Sequence, residues 1–354
     1  MFSERLKRLT PYVPGEQPQD REYLKLNTNE NPYPPCPGIA DLLRTFDTER
    51  LRLYSDPVCG RLRERIARKH SLLKEQVFVS NGSDEALSFC FYAFFDSLYG
   101  RLLFPEYTYS FYPVYCDFYG ITYERIPLDR EFRVDLDGFL KKGDGSCGAI
   151  FANPNAPTGT YLALDRIVWF LENYHREKIV VIDEAYIDFG GESAAALLGQ
   201  FQNLVIVRTF SKGMSLAGLR LGYTLTDKEL IKALFTVKDS FNSYPADTLS
   251  QLIGEIAIED DLYYAKIREK IIATREYFSS ELERLGWFVL PSRANFVFVS
   301  KEGIPGKDIY LKLKEKGILV RHFDVEGIKD FVRITIGTRD QMARLLSVAT
   351  CLFP

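Results

Sequence analysis

Six short apolar runs constrain the fold of this chain more than any other feature: "QVFVS" (76–80), "GRLLF" (100–104), "GITYERI" (120–126), "GAIFAN" (148–153), "KIVVID" (178–183) and "LVIVRT" (204–209). Several are continuously apolar and bounded by turn residues, as in strands buried on both faces of a mostly parallel sheet. Helical stretches such as "DEALSFCFYAFF" and "LDRIVWFLENYHREK" lie between them. That alternation predicts an α/β layer, doubly wound, with helices on both faces. Beyond about residue 246 the texture changes to a long charged amphipathic helix ("YYAKIREKIIATREYFSSELERLG"), then "WFVLPSRANFVFVS", a helix, "GILVRHF", "DFVRITIGT" and a closing helix. This reads as a smaller α+β unit. A chain of 354 residues exceeds what one growing core usually serves. We expect an arm over 1–35, a large α/β domain over 36–245 and a small α+β domain over 246–354.

Charge excludes several functions. Lysine plus arginine number 45 against 48 acidic residues, and no segment gathers the basic ones into a nucleic-acid footprint. The six cysteines, at 36, 59, 90, 116, 147 and 351, form no C-x-x-C pair and have no histidine at metal-ligand spacing. Reduced buried thiols and no metal site are expected. Without an apolar N-terminal run or a bilayer-length segment, the chain reads as soluble and cytoplasmic, with no membrane partner. The stretch "GDGSCG" (143–148) matches G-x-G-x-x-G, but it precedes a strand where the dinucleotide motif follows one. We read it as a turn.

Ligands of open α/β sheets gather at the carboxyl ends of the strands. After "QVFVS" comes "NGSDEAL", a helix start carrying Ser83 and Asp84, which offers free N–H groups to an anion or simply caps the helix. "PNAPTG" follows "GAIFAN" and holds Asn155 in a proline-dense turn. Asp183 ends "KIVVID" where an unpaired carboxylate is costly, and Tyr186 follows it. "LVIVRT" leads into "FSKGMSLAGLR" with Thr209, Ser211, Lys212 and Arg220. With Tyr109 added, these groups suit a ligand bearing a phosphate, a ring nitrogen that must stay protonated, a phenolic oxygen and an aldehyde. Pyridoxal 5′-phosphate has all four. A desolvated lysine deprotonates readily and can then bond covalently to the aldehyde, while Asp183 would keep the ring nitrogen protonated.

"FSKGMSLAGLRLGY", "VIDEAY", "NPNAPTG", "NGSDEAL" and "LNTNENPYPP", in this order from the C-terminal side back, together resemble the fold-type-I aminotransferases, and within them the histidinol-phosphate aminotransferases. The likeness runs from "LTPYVPGEQP" to "VRITIGT". It implies that Lys212 carries the cofactor and moves the substrate proton, that Asp183 faces the ring nitrogen, that Tyr186 bonds the phenolic oxygen and that Tyr109 stacks on the ring. Ser83, Asp84, Thr209, Ser211 and Arg220 would meet the phosphate. Tyr54 in "RLYSDP" would reach the phosphate of a neighbouring subunit, implying a homodimer with shared sites. One departure stands out: Ala156 occupies the place where many relatives have asparagine before "PTG". Either Asn155 serves the phenolic oxygen, or Tyr186 holds it alone.

For substrate, the resemblance implies amino transfer between L-histidinol phosphate and 2-oxoglutarate in histidine biosynthesis. Histidinol phosphate has no carboxylate, so Arg321 and Arg333 would grip it through its phosphate, and the resemblance places the arm residue Tyr12 over the substrate. Threonine-phosphate decarboxylation and aromatic amino acid transamination are the alternative activities. A non-catalytic cofactor sensor would need an appended DNA-binding segment, and the 35-residue arm has no room for one.

Overall fold

The computed structural model describes residues 2–354. Seven strands build the main sheet: β1 (Val77–Ser80), β2 (Arg101–Pro105), β3 (Tyr123–Ile126), β4 (Ser146–Ala152), β5 (Ile179–Asp183), β6 (Leu204–Thr209) and β7 (Gly222–Thr226). Their order is β1-β7-β6-β5-β4-β2-β3. All pairings are parallel except those of β7, which runs against both β6 and β1. The α/β class expected from the sequence is what the chain forms.

The period of two explains why the central strands lack polar alternation. Val180, Ile182, Leu204 and Ile206 point into one core, while Val181, Val205 and Val207 point into the other. Helices α1 (Gly82–Phe94) and α3 (Lys228–Phe241) cover the second face through Ala86, Leu87, Phe91, Ile231 and Leu234. Helix α2 (Leu164–Asn173) covers the first with Ile167, Phe170 and Leu171. "GDGSCG" is a short 3-10 turn running into β4.

A second, antiparallel sheet holds β8 (Trp287–Val289), β9 (Phe296–Lys301), β10 (Arg321–His322) and β11 (Val332–Thr335), in the order β10-β11-β9-β8. Val297, Val299, Val332 and Ile334 pack with the long helix α4 (Asp261–Arg284) and with α5 (Arg339–Leu352). Helix α4 joins the two cores: Tyr264 belongs to the sheet core around α2, and Ile267, Ile271, Phe278 and Leu282 belong to that of the smaller sheet. The N-terminal arm is tied to the smaller sheet's side. Leu24–Lys25 pairs in parallel with Ile318–Leu319, and Glu16 binds Tyr310 and Lys314.

Two elements differ from the sequence reading. Strand β7 is not among the expected strands, because only a 3-10 turn, Ala217–Leu219, and two residues part it from the lysine-bearing segment and its "GY" start closes that loop. Helix α2 stops at Asn173, so "YHREK" is not helical. No helix among the described residues is long and apolar enough to cross a membrane.

Candidate active site

Lys212 lies in the loop between β6 and β7, where the strands' carboxyl ends meet the smaller sheet and the arm. Its cavity of about 200 Å³ is lined by Tyr12, Ser83, Asp84, Tyr109, Asp183, Tyr186, Thr209, Ser211, Lys212, Arg220, Arg321 and Arg333. Twelve residues singled out from the sequence therefore face one space.

At the sheet end, Asp183 is 4% exposed. Burial pushes its carboxyl up to about 6, against the pull of the Ala185 N–H and the Tyr112 hydroxyl, with Asp84 and Glu184 adding to the rise. Those donors lie 3.1 Å from Oδ1 and 3.2 Å from Oδ2. No cation bonds this carboxylate among the described residues. The group is suited to hold a protonated nitrogen presented from the cavity.

Lys212 is half-buried, and its Nζ donates to the Thr28 carbonyl at 3.0 Å. Burial first, and the Arg333 charge second, lower its ammonium to about 8. A substantial neutral fraction near physiological pH makes it a nucleophile and a base. Asn31 Nδ2 donates to the Lys212 carbonyl at 3.0 Å, so the 27–31 segment holds both the head and the backbone of this residue.

An anion cup forms beside it. Helix α1 begins without a side-chain cap, leaving its first N–H groups open. Thr209 and Ser211 stand at the end of β6, with the Ser211 N–H on Thr209 Oγ1 at 3.1 Å. Arg220, in the left-handed region at φ 53, turns its guanidinium to Asp84 Oδ2 at 2.9 Å. Asp84 Oδ1 accepts from the Tyr109 hydroxyl at 2.8 Å. The Asp84 carboxylate is thus a holder of Arg220 and Tyr109, and only its backbone N–H is left for an anion. Two glycines make the cup close. A Cβ on Gly222 would stand 2.5 Å from Gly82 C and Ser83 N, and one on Gly82, at φ +75, would stand 2.8 Å from Arg220 Nη2.

Arg321 and Arg333 face each other directly across β10 and β11. Arg321 donates to the Val13 and Pro14 carbonyls at 3.1 and 3.3 Å, and Arg333 to the Asn27 carbonyl at 3.2 Å. Arg333 Nε and Asn27 Oδ1, both buried, lack partners among the described residues. Tyr12 reaches the cavity from the arm and packs on Phe111 with ring centroids 5.0 Å apart.

Two sequence candidates stand elsewhere. The Asn155 carboxamide does not turn into the cavity: it accepts from Thr108 and donates to the Tyr107 carbonyl and Thr158 Oγ1. Both amide hydrogens are used, one on Thr158 of its own turn and one on the Tyr107 carbonyl of a distant segment. Tyr54 is 84% exposed, stacks on Tyr244 at 4.6 Å and lies outside the cavity of its own chain. Conversely, the sequence reading assigned nothing to Asn27, Thr28, Asn29, Asn31 or Tyr112, though "LNTNENPYPP" places three asparagines at alternating positions.

A half-buried lysine, a buried carboxylate and an anion cup meet at the ends of a doubly wound sheet, an arrangement suited to a phosphorylated carbonyl compound. The family model for aminotransferase class I and II matches residues 21–348, and the chain belongs to that family. It is 61% identical to the histidinol-phosphate aminotransferase of Syntrophus aciditrophicus over 354 residues, covering 100% of this chain and 98% of that one. It is 50% identical to the histidinol-phosphate aminotransferase of Chromohalobacter salexigens over 345 residues, or 98% and 97% of the two chains. Among solved structures, the histidinol-phosphate aminotransferase of Sinorhizobium meliloti in complex with pyridoxal-5′-phosphate superposes with a TM-score of 0.87 at 23% identity, covering 98% and 95%.

Proposed function

We propose that the chain is a histidinol-phosphate aminotransferase, interconverting L-histidinol phosphate plus 2-oxoglutarate and imidazole acetol phosphate plus L-glutamate in histidine biosynthesis. The observation that carries this reading is the arginine pair. Like charges directly opposite in a sheet destabilise it, yet Arg321 and Arg333 occupy opposed positions in the Lys212 cavity and bond only to backbone carbonyls among the described residues. A dianion between them offsets the repulsion. Histidinol phosphate brings one phosphate and no carboxylate, so one such grip serves it.

The donor set also fits pyridoxal 5′-phosphate. The cup of α1, Thr209, Ser211 and Arg220 would hold its phosphate, Asp183 its ring nitrogen, Tyr186 its phenolic oxygen and Tyr109 one ring face. Bound, the cofactor supplies an aldehyde for the amino group and a ring that spreads negative charge from the substrate carbon. The chain does the rest. Lys212 Nζ would take the proton from the reacting substrate carbon and return it as nitrogen is transferred. Asp183, ionised above about pH 6, keeps its partner protonated throughout, while Tyr12 and the arm shut out water.

Reactivity of the loaded, yellow protein tests this. Histidinol phosphate without a keto acid should abolish the yellow absorbance one for one. If it leaves the spectrum unchanged while threonine phosphate releases carbon dioxide, the proposal fails. Arg333→Met should lower kcat/KM for histidinol phosphate roughly 10- to 100-fold, the worth of hydrogen bonds to a charged group.

We also propose a homodimer in which Tyr54 completes the neighbour's phosphate cup, as its exposure outside its own cavity permits. Mixing Lys212→Ala and Tyr54→Ala chains under subunit exchange should restore activity, to about a quarter of native, because half the dimers gain one intact site. Absence of recovery would place Tyr54 at its own site or at none.

A further inference from the structure

Ala156 gives the phenolic-oxygen side of the site no hydrogen-bond donor. Ala156 packs against Tyr186 and Phe296 with no polar group, and the neighbouring Asn155 carboxamide donates both its hydrogens elsewhere, to the Tyr107 carbonyl and Thr158 Oγ1. Asn29 lies 127 residues earlier in the chain and 1% exposed, and its Nδ2 donates to the Tyr186 hydroxyl oxygen at 2.9 Å.

Its orientation is fixed from behind. Thr335 Oγ1 accepts the Asn29 backbone N–H at 3.0 Å, so its own proton is free to go to Asn29 Oδ1, 3.1 Å away. With its oxygen toward Thr335, the carboxamide presents its amide end to Tyr186. The Asn29 carbonyl accepts from Asn295 Nδ2 at 3.0 Å. The residue sits at φ +57, a left-handed conformation that asparagine tolerates better than most. Backbone and side chain are therefore held at four points, in the manner of strained positions kept for function.

From this geometry we propose that Asn29 is a positioning residue for the reaction: by donating to the Tyr186 oxygen it sends the Tyr186 proton into the cavity, supplying the alignment that position 156 lacks. The relay runs Thr335 O–H to Asn29 Oδ1, Asn29 N–H to Tyr186 Oη, and Tyr186 O–H to the cavity. Tyr186 finds no acceptor among the described residues, so that proton is available to an oxygen placed there. The relay begins two residues from Arg333 on β11, linking the substrate grip to the cofactor's phenolic side. The inference rests on the reading of this cavity as a pyridoxal phosphate site.

The test is the affinity of cofactor-free protein for pyridoxal phosphate, measured by competition and followed by absorbance. Asn29→Gly deletes the carboxamide while keeping a residue at ease with positive φ, and should weaken binding about 3- to 10-fold, the worth of one hydrogen bond. Asn29→Asp keeps the shape and the Thr335 bond but turns the donor into an acceptor, which draws the Tyr186 proton away from the cavity. It should bind at least as weakly as Asn29→Gly. A residue with a merely structural role would give the reverse order, with the isosteric Asp the milder change. In a Tyr186→Phe background, Asn29→Gly should cost less than about twofold, because the two residues act through one bond. Native-like binding by Asn29→Asp, or an undiminished loss in the Phe background, would overturn the proposal. If the unsubstituted chain took up no pyridoxal phosphate, the functional reading itself would fall; if it did and Asn29→Gly matched it, only the role of Asn29 would.

Discussion

Replacing Lys212 by alanine is expected to lower kcat by at least about 10⁴-fold, the upper end of what a positioned acid–base group contributes. The covalent hold on the cofactor goes with it, so the loss exceeds that of an acid–base residue alone. Lys212→Arg should be equally inactive, since a guanidinium stays charged where a neutral amine is required. Borohydride should fix pyridoxal phosphate permanently to the native chain and to neither variant. The pH dependence follows from the environment. Burial and Arg333 bring the ammonium down to about 8, so capture of pyridoxal phosphate by cofactor-free protein should accelerate about tenfold per pH unit below 8 and level off above it. A variant keeping a tenth of native activity, or capture that slows as pH rises toward 8, would remove Lys212 from the centre of the mechanism.

What could be read from sequence followed the range of the interactions. Strands β4, β5 and β6 declared themselves because burial on both faces writes an unbroken apolar run into consecutive residues. Strand β7 did not, because it reverses the sheet's direction after a loop whose small residues carry a stronger local signal than "GYTLT". The same distinction holds in the cavity. Asp183 and Lys212 end or follow apolar strands, where a charge stands out against its neighbours. Asn29 is meaningful only through Tyr186 and Thr335, 157 and 306 residues away. Nothing local marks it, beyond an asparagine repeat equally suited to a turn. Asn155 shows the converse: its local motif was conspicuous, yet its bonds to Thr108, Tyr107 and Thr158 leave it nothing to offer the cavity.

Asp183→Asn is expected to act on stability and on catalysis with opposite signs. The folded carboxyl titrates near 6 against an ordinary 3.8, because burial disfavours its ionised form. Between those values the unfolded chain has lost a proton that the folded chain keeps, so stability falls as pH rises through this window. Above about 6 both states are ionised and the deficit stays constant, at roughly 3 kcal/mol. Asparagine has the same shape, can still accept from Ala185 N–H and can meet the Tyr112 hydroxyl, but carries no charge to desolvate. Cofactor-free Asp183→Asn should therefore melt a few degrees above the native protein at pH 7, the advantage vanishing below about pH 4. Its activity should fall roughly 10²–10³-fold, because a protonated ring nitrogen brought into this buried space would meet no opposing charge. Saturating pyridoxal phosphate should reverse the order of melting temperatures, since only the native carboxylate gains a cation from the ligand. A lower melting temperature for the cofactor-free variant at pH 7 would mean that Asp183 is held by the fold for the fold's own sake. The opposite result identifies a charge buried at a cost that only the ligand offsets.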